Sequence, residues 1–204
     1  MSKIGIMGGT FNPIHVGHLM LAECAREEFE LDEVWFIPTG HSYMKNGTKE
    51  EAYPDACERF RMTELAVQGN IFFRCLDIEV QREGDTYTYE TLEILTKEYP
   101  EHDFYFIFGA DCLFGIEKWK EPGRIFALSR IICAVRDDYN VVEMQEKIDW
   151  LSRQYNARIH FMPFYEIAIS STVIRERISS GKSIRYMVPD SVHSYIEEKG
   201  FYRA

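Results

Sequence analysis

The sequence predicts an α/β fold: a doubly wound, mostly parallel sheet of about six strands with helices on both faces. Three observations carry that expectation. Short apolar runs, each suited to one buried strand, recur six times along the chain. Segments with helical spacing of apolar residues lie between them, the alternation that builds a parallel sheet covered on both sides. Residues able to meet a ligand follow directly after the runs, where such Rossmann-like sheets bind, beyond the carboxyl ends of their strands.

The first run, Lys3–Met7, is followed at once by Gly8 and Gly9, which permit positive φ and leave room for a ligand against the backbone. Asn12-Pro13 marks a turn. Apolar spacing through Leu19, Ala22, Cys24, Ala25 and Phe29 then places a helix start near Ile14–Val16. Strand, glycine loop and helix N-terminus together offer amides and a positive dipole end to an anion. His15 and His18 share one face of that first turn, and Gly17 keeps the space between their rings open. The plain alternative is one packed and one exposed histidine. As metal ligands two histidines are too few, with no Cys or carboxylate near in sequence to complete a tetrahedral set.

Val34–Pro38 is the second strand. Thr39–Asp55 is polar and aperiodic, a length of loop that is usually functional or mobile; it holds Lys45 and Lys49, the latter read as a solvated surface charge. Cys57–Val67 is helical in pattern and Ile71–Leu76 is the third strand, followed by Asp77 and Glu79, which either reach a ligand or solubilise an edge. Gly84–Thr88 turns into a helix through Tyr99, with Thr88 as N-cap, Glu90 favourable to the dipole and Pro100 as the stop. Phe104–Phe108 is the fourth strand, closed by Gly109-Ala110-Asp111, where Asp111 reads as an N-cap. Trp119 lies in a polar segment and reads as a stacking face, whereas Trp35 and Trp150 read as core.

Ile131–Val135 is the fifth strand, ending at Arg136-Asp137-Asp138, and Arg158–Met162 the sixth, with an amphipathic helix over Val141–Tyr155 between them. Ser170 and Ser171 are good N-caps for a helix through Ile178. With Thr172 and Arg175 they also form a second phosphate cradle. A last helix spans Pro189–Lys199.

With 204 residues, 46% of them hydrophobic, the chain suits one domain over 1–204. A net charge of −10 disfavours nucleic acid and anionic membrane as partners. No apolar stretch is long enough to span a bilayer and no signal peptide is visible, so the expected location is cytoplasmic. The five cysteines are widely spaced and odd in number, and read as reduced, mostly core residues.

The run Gly8-Gly9-Thr10-Phe11-Asn12-Pro13-Ile14-His15-Val16-Gly17-His18, with Ile169-Ser-Ser-Thr-x-x-Arg175, resembles the nucleotidylyltransferase superfamily. More closely it resembles the bacterial nicotinate-nucleotide adenylyltransferases, over nearly the whole chain. Gly84-x-Thr-Tyr-Thr88, Gly109-Ala-Asp111 with Trp119, and Ile184-Arg-Tyr-Met-Val-Pro189 support the likeness. The resemblance implies transfer of AMP from ATP to nicotinate mononucleotide, yielding deamido-NAD and pyrophosphate, in NAD biosynthesis. It also implies small-molecule substrates only, with Mg²⁺ riding on the ATP phosphates; homo-oligomerisation is left open.

Carried onto this sequence, the likeness implies that Gly8, Gly9, Thr10, Phe11, His15 and His18 meet ATP. Ser170, Ser171, Thr172, Arg175 and Arg136 would hold the same nucleotide, so that the helical segment 165–204 completes its site. Thr39, Lys45, Thr86, Tyr87, Gly109, Asp111 and Trp119 would seat the mononucleotide, the indole against its pyridine ring. His15, His18 and Arg175 form the implied catalytic set. Two stretches depart from the family pattern: Ser42-Tyr43-Met44-Lys45 stands where Pro-Pro-His-Lys is common, and Arg136-Asp137-Asp138 where Arg-Pro-Gly is common. A sister enzyme using another phosphate acceptor and a silent nucleotide-binding regulator are the alternatives.

Overall fold

The computed structural model describes residues 1–42, 54–135, 140–164 and 168–203. Lys45, Lys49 and Arg136 therefore lie outside the described residues, as do both departures from the family pattern beyond Ser42. The described strands are β1 (Ser2–Gly9), β2 (Glu33–Pro38), β3 (His41–Ser42), β4 (Phe73–Cys75), β5 (Asp85–Thr86), β6 (His102–Gly109), β7 (Arg130–Val135) and β8 (Ile159–Pro163). The helices are α1 (Val16–Glu28), α2 (Ala56–Val67), α3 (Thr88–Glu98), α4 (Ala110–Gly115), α5 (Pro122–Leu128), α6 (Val141–Tyr155), α7 (Ser171–Ser179) and α8 (Asp190–Lys199).

Six strands form one sheet in the order β4-β2-β1-β6-β7-β8, and β3 pairs with β5. The pairs β1/β6, β6/β7 and β7/β8 are all parallel, with Ile4 opposite Phe104 and Phe108 opposite Cys133. From β1 the winding runs one way through β2 and the other way from β6. Right-handed crossovers moving in opposite directions place their helices on opposite faces, which makes the sheet doubly wound. The switch in strand order falls between β1 and β6, the strands that end in Gly8-Gly9 and Gly109.

The chain divides into two compact units. The first comprises Met1–Gly8, Leu21–Val34 and Tyr87–Glu166. Its central strand β6 is buried from Phe104 to Phe108 without alternation, as a parallel strand covered on both faces must be. Ile4, Ile6, Leu92, Leu95, Phe126, Ile131, Ile132 and Leu151 complete its core. The second comprises Gly9–Met20, Trp35–Thr86 and Ile167–Ala204. There α8 fastens to α2: Tyr195 OH and Lys199 Nζ both donate to the Glu58 carboxylate, and Ser191 Oγ donates to the Leu65 carbonyl at 3.0 Å.

Several local expectations are corrected. The third strand shrinks to Phe73–Cys75, because Asn70 turns the chain: its Oδ1 accepts from the Phe72 amide, leaving Ile71 88% exposed. Trp150 is not core but 40% exposed, edge-on to Tyr155 with the Lys147 ammonium over its ring. Cys24 and Cys57 are exposed rather than core, while all five thiols are free. Thr88 is the first residue of α3; the cap position is Tyr87, without a side-chain cap bond. Gly109, not Asp111, occupies the N-cap of α4.

Candidate active site

The loop between β1 and α1 carries the densest chemistry. Phe11 takes a left-handed backbone at φ 46°, rare for a bulky residue, and is buried with its ring edge-on to His18. The Asn12-Pro13 bond is cis. As α1 opens, the His15 amide donates to His18 Nδ1 at 3.2 Å. An accepting Nδ1 carries no proton, so neutral His18 presents Nε2–H as a donor. The two imidazoles stack with centroids 3.7 Å apart, and His15 Nδ1 is buried without a partner among the described residues. Burial lowers His15 to a pKa of about 4, and burial followed by repulsion from His15 lowers His18 to about 3. Both rings are therefore neutral at pH 7.

Gly17 matters for a geometric reason. A Cβ there would stand 3.1 Å from His15 Nδ1 and push on the stacked ring. The expectation that this glycine keeps the space between the rings open is corrected: the rings stack on each other at 3.7 Å, and what the glycine leaves free is room beside His15 Nδ1.

The loop's carbonyls are held by donors from elsewhere in the second unit. Thr39 N–H donates to Gly9 O at 2.8 Å, Arg59 Nη1 to Thr10 O at 2.6 Å, Arg175 Nη1 to Asn12 O at 2.7 Å, and Ser171 Oγ to Pro13 O at 2.8 Å. Tyr202 OH donates to Asn12 Oδ1 at 2.6 Å. Arg59 Nη2 also reaches Thr39 O and Gly40 O, at 2.8 and 3.1 Å. Gly40 itself cannot be anything larger, since a Cβ would stand 2.2 Å from the Glu79 carbonyl.

The serine-rich start of α7 is engaged within the protein. Ser170 caps the helix, accepting from Val173 N–H at 3.2 Å, and Thr172 Oγ1 accepts from Arg175 Nη2 at 3.2 Å. Thr86 is buried and its hydroxyl donates to His41 O, tying β5 to β3. Glu79 is neither an edge solubiliser nor exposed; only 8% of it is accessible.

The first unit holds the other expected residues. Gly8, next to last in β1, is exposed, Gly109 caps α4, and Asp111 is exposed in that helix's first turn. Trp119 is half-buried, edge-on to Phe106 and tilted on Phe108, both at 6.2 Å. The indole thus combines the two readings open to it: part docks on β6 and part stays accessible. Tyr87 is half-buried with Lys120 Nζ 4.0 Å above its ring.

Arg59 and Tyr202 were missed by sequence reasoning. Arg59 is 2% exposed on the inward face of α2, with Met62 and Thr63 three and four residues on. An arginine inside an apolar stripe was the available signal. Tyr202 gave none beyond its aromatic character. Among the described residues no group of three or more His, Cys, Asp or Glu is placed to hold a metal ion, and no helix is long and apolar enough to cross a membrane.

A doubly wound parallel sheet whose first strand runs into Gly8-Gly9 is the architecture of nucleotide-handling proteins, and the comparisons narrow the class. Residues 6–177 match the family model described as cytidylyltransferase-like. A probable nicotinate-nucleotide adenylyltransferase of Lachnoclostridium phytofermentans is 44% identical over 99% of this chain and 100% of its own length. Another, from Desulfitobacterium hafniense, is 45% identical over 98% and 96%. Among solved structures, the Plasmodium falciparum nicotinic acid mononucleotide adenylyltransferase complexed with NaAD superposes with a TM-score of 0.79, at 19% identity over 99% of this chain and 98% of that one, and so shares the fold. The chain belongs to the cytidylyltransferase-like family and, within it, to the nicotinate-nucleotide adenylyltransferases.

Proposed function

We propose that the chain transfers the AMP moiety of ATP to nicotinate mononucleotide, forming deamido-NAD and releasing pyrophosphate, a step of NAD biosynthesis. A phosphate oxygen of the mononucleotide attacks the α-phosphorus, and the bond from that phosphorus to the oxygen leading to the β-phosphate breaks. No protein nucleophile is needed. The barrier lies in aligning two polyanions and in stabilising charge on the α-phosphate and the departing pyrophosphate.

One observation carries this reading: the His15 amide on His18 Nδ1 leaves the neutral ring's proton on Nε2 as a donor, beside a loop whose carbonyls are captured elsewhere. A neutral imidazole donor costs less to desolvate than an imidazolium as it meets a phosphate. Negative charge then raises its pKa and strengthens the bond as charge develops. His15 stacks beneath it, and Arg175 brings a permanent planar donor set. Gly8, Gly9, Thr10 and Phe11 would line the phosphates, and Ser170, Ser171 and Thr172, with segment 165–204, would complete the ATP side. Trp119 would stack on the pyridine ring, with Tyr87, Gly109 and Asp111 near it. Thr39 and Thr86 support the backbone.

The substrate is written as Mg²⁺·ATP, the metal held by phosphates and water, because the loop offers imidazole and guanidinium donors rather than a carboxylate cage. A cytoplasmic location and small-molecule substrates go with this role, and homo-oligomerisation stays open.

The test is an acceptor panel. With ATP and Mg²⁺, pyrophosphate release should be greatest with nicotinate mononucleotide and weak with nicotinamide mononucleotide, phosphopantetheine or glycerol phosphate. Preference for another acceptor, or tight NAD binding with no pyrophosphate released, overturns the reading.

A further inference from the structure

We propose that Arg59 is a positioning residue of the reaction: its buried guanidinium fixes the carbonyls of Thr10, Thr39 and Gly40, and so aims the amides of the glycine loop at the ATP phosphates. The inference rests on the proposed adenylyl transfer and assigns a role to a side chain outside the glycine loop and α7.

A buried arginine is costly to desolvate and is ordinarily paired with a carboxylate. Among the described residues Arg59 instead donates to three main-chain carbonyls, at 2.6, 2.8 and 3.1 Å, and its Nε is buried without a partner. Asp55 and Glu79 act on the guanidinium electrostatically and help offset its charge, while the three carbonyls fix its position. The acceptors also come from two separate stretches, the loop after β1 and the loop after β2. A rigid fork bonding both fixes one against the other, which a single point charge does poorly.

The direction of the amides follows from peptide planarity. In a trans peptide the N–H points opposite to the C=O of the same unit. Holding Thr10 O therefore turns Phe11 N–H the other way, and Thr39 N–H on Gly9 O does the same for Thr10 N–H. The Phe11 amide is thus turned away from Arg59, and the Thr10 amide away from the Thr39 amide. The left-handed backbone of Phe11, unfavourable by itself, persists because its surroundings are pinned in this way.

The experiment compares Arg59→Lys and Arg59→Gln with the wild type. ATP affinity is read by titration without an acceptor, and KM values for ATP and nicotinate mononucleotide by pyrophosphate release. Arg59→Gln should weaken ATP binding and raise its KM by about tenfold or more, with the KM for the mononucleotide within about twofold. Arg59→Lys, keeping the charge without the fork, should fall between. Equal rises for both substrates, or a lower Tm with ATP affinity of the folded protein unchanged, overturn the proposal in favour of plain structural support. If neither variant folds, the positioning role is likewise overturned. Because the titration needs no acceptor, a wrong acceptor assignment would leave it standing and show in the panel instead.

Discussion

At the scale of single residues, the tautomer of His18 is the central fact. It is set by one backbone amide, and that amide is placed by the turn that starts α1. Gly17 connects this local geometry to function. A methyl group at 17 would press on His15 Nδ1 from 3.1 Å, tilting the ring on which His18 stacks. Glycine to alanine in a helix otherwise gains up to about 1 kcal/mol. Gly17→Ala should therefore keep or raise Tm while kcat/KM falls about tenfold. Thermal melts and steady-state rates on one preparation check both halves, and an unchanged kcat/KM would show that the stack tolerates the methyl. The glycines and the histidines were legible in the sequence because their chemistry depends on neighbours within one turn. Arg59 was not, because its partners lie 19 to 49 residues away and a helical pattern does not say which loop it will meet.

At the scale of elements, apolar runs fixed on both faces by burial were read well, and edges poorly. β6 and β7 match their expected spans within two residues at either end, since every position inside them is buried. The third strand lost Ile71 and Phe72 to a turn that Asn70 makes with its own side chain, a competition invisible to periodicity. Trp150 lies on an amphipathic helix, but on its wet side. Trp119 was better judged, because its polar neighbours signalled a partly exposed indole. Its docking on Phe106 and Phe108 leaves a remaining surface for a planar ring. Trp119→Ala should raise KM for nicotinate mononucleotide several-fold more than KM for ATP. Parallel changes in both constants would reduce the indole to core support.

For the whole molecule, the buried imidazoles link the site to acid stability. An unfolded histidine takes a proton near pH 6.5, whereas folded His15 refuses it until about pH 4. Between those values the unfolded chain binds more protons, so stability rises with pH and is lost on acidification through this window. The loss attributable to His15 is about 2 kcal/mol at pH 5. His15→Asn should lose less Tm than the wild type between pH 7 and pH 5, and equal losses in both would assign the acid sensitivity elsewhere. Fold class was legible at this scale from alternation alone. The division into two units of interleaved segments was not, because it depends on contacts between remote parts of the chain.

The bond from Tyr202 to Asn12 joins positions 190 residues apart. A ribosome delivers Asn12 early and Tyr202 late, and Ser171 and Arg175 reach the same loop only shortly before. During synthesis the first turn can coil and β1 can find β6, yet Ser171 and Arg175, which hold two of the loop's carbonyls, and Tyr202, which holds the Asn12 side chain, are made long after the loop. The first turn of α1 is therefore made long before the side chains that brace the loop preceding it.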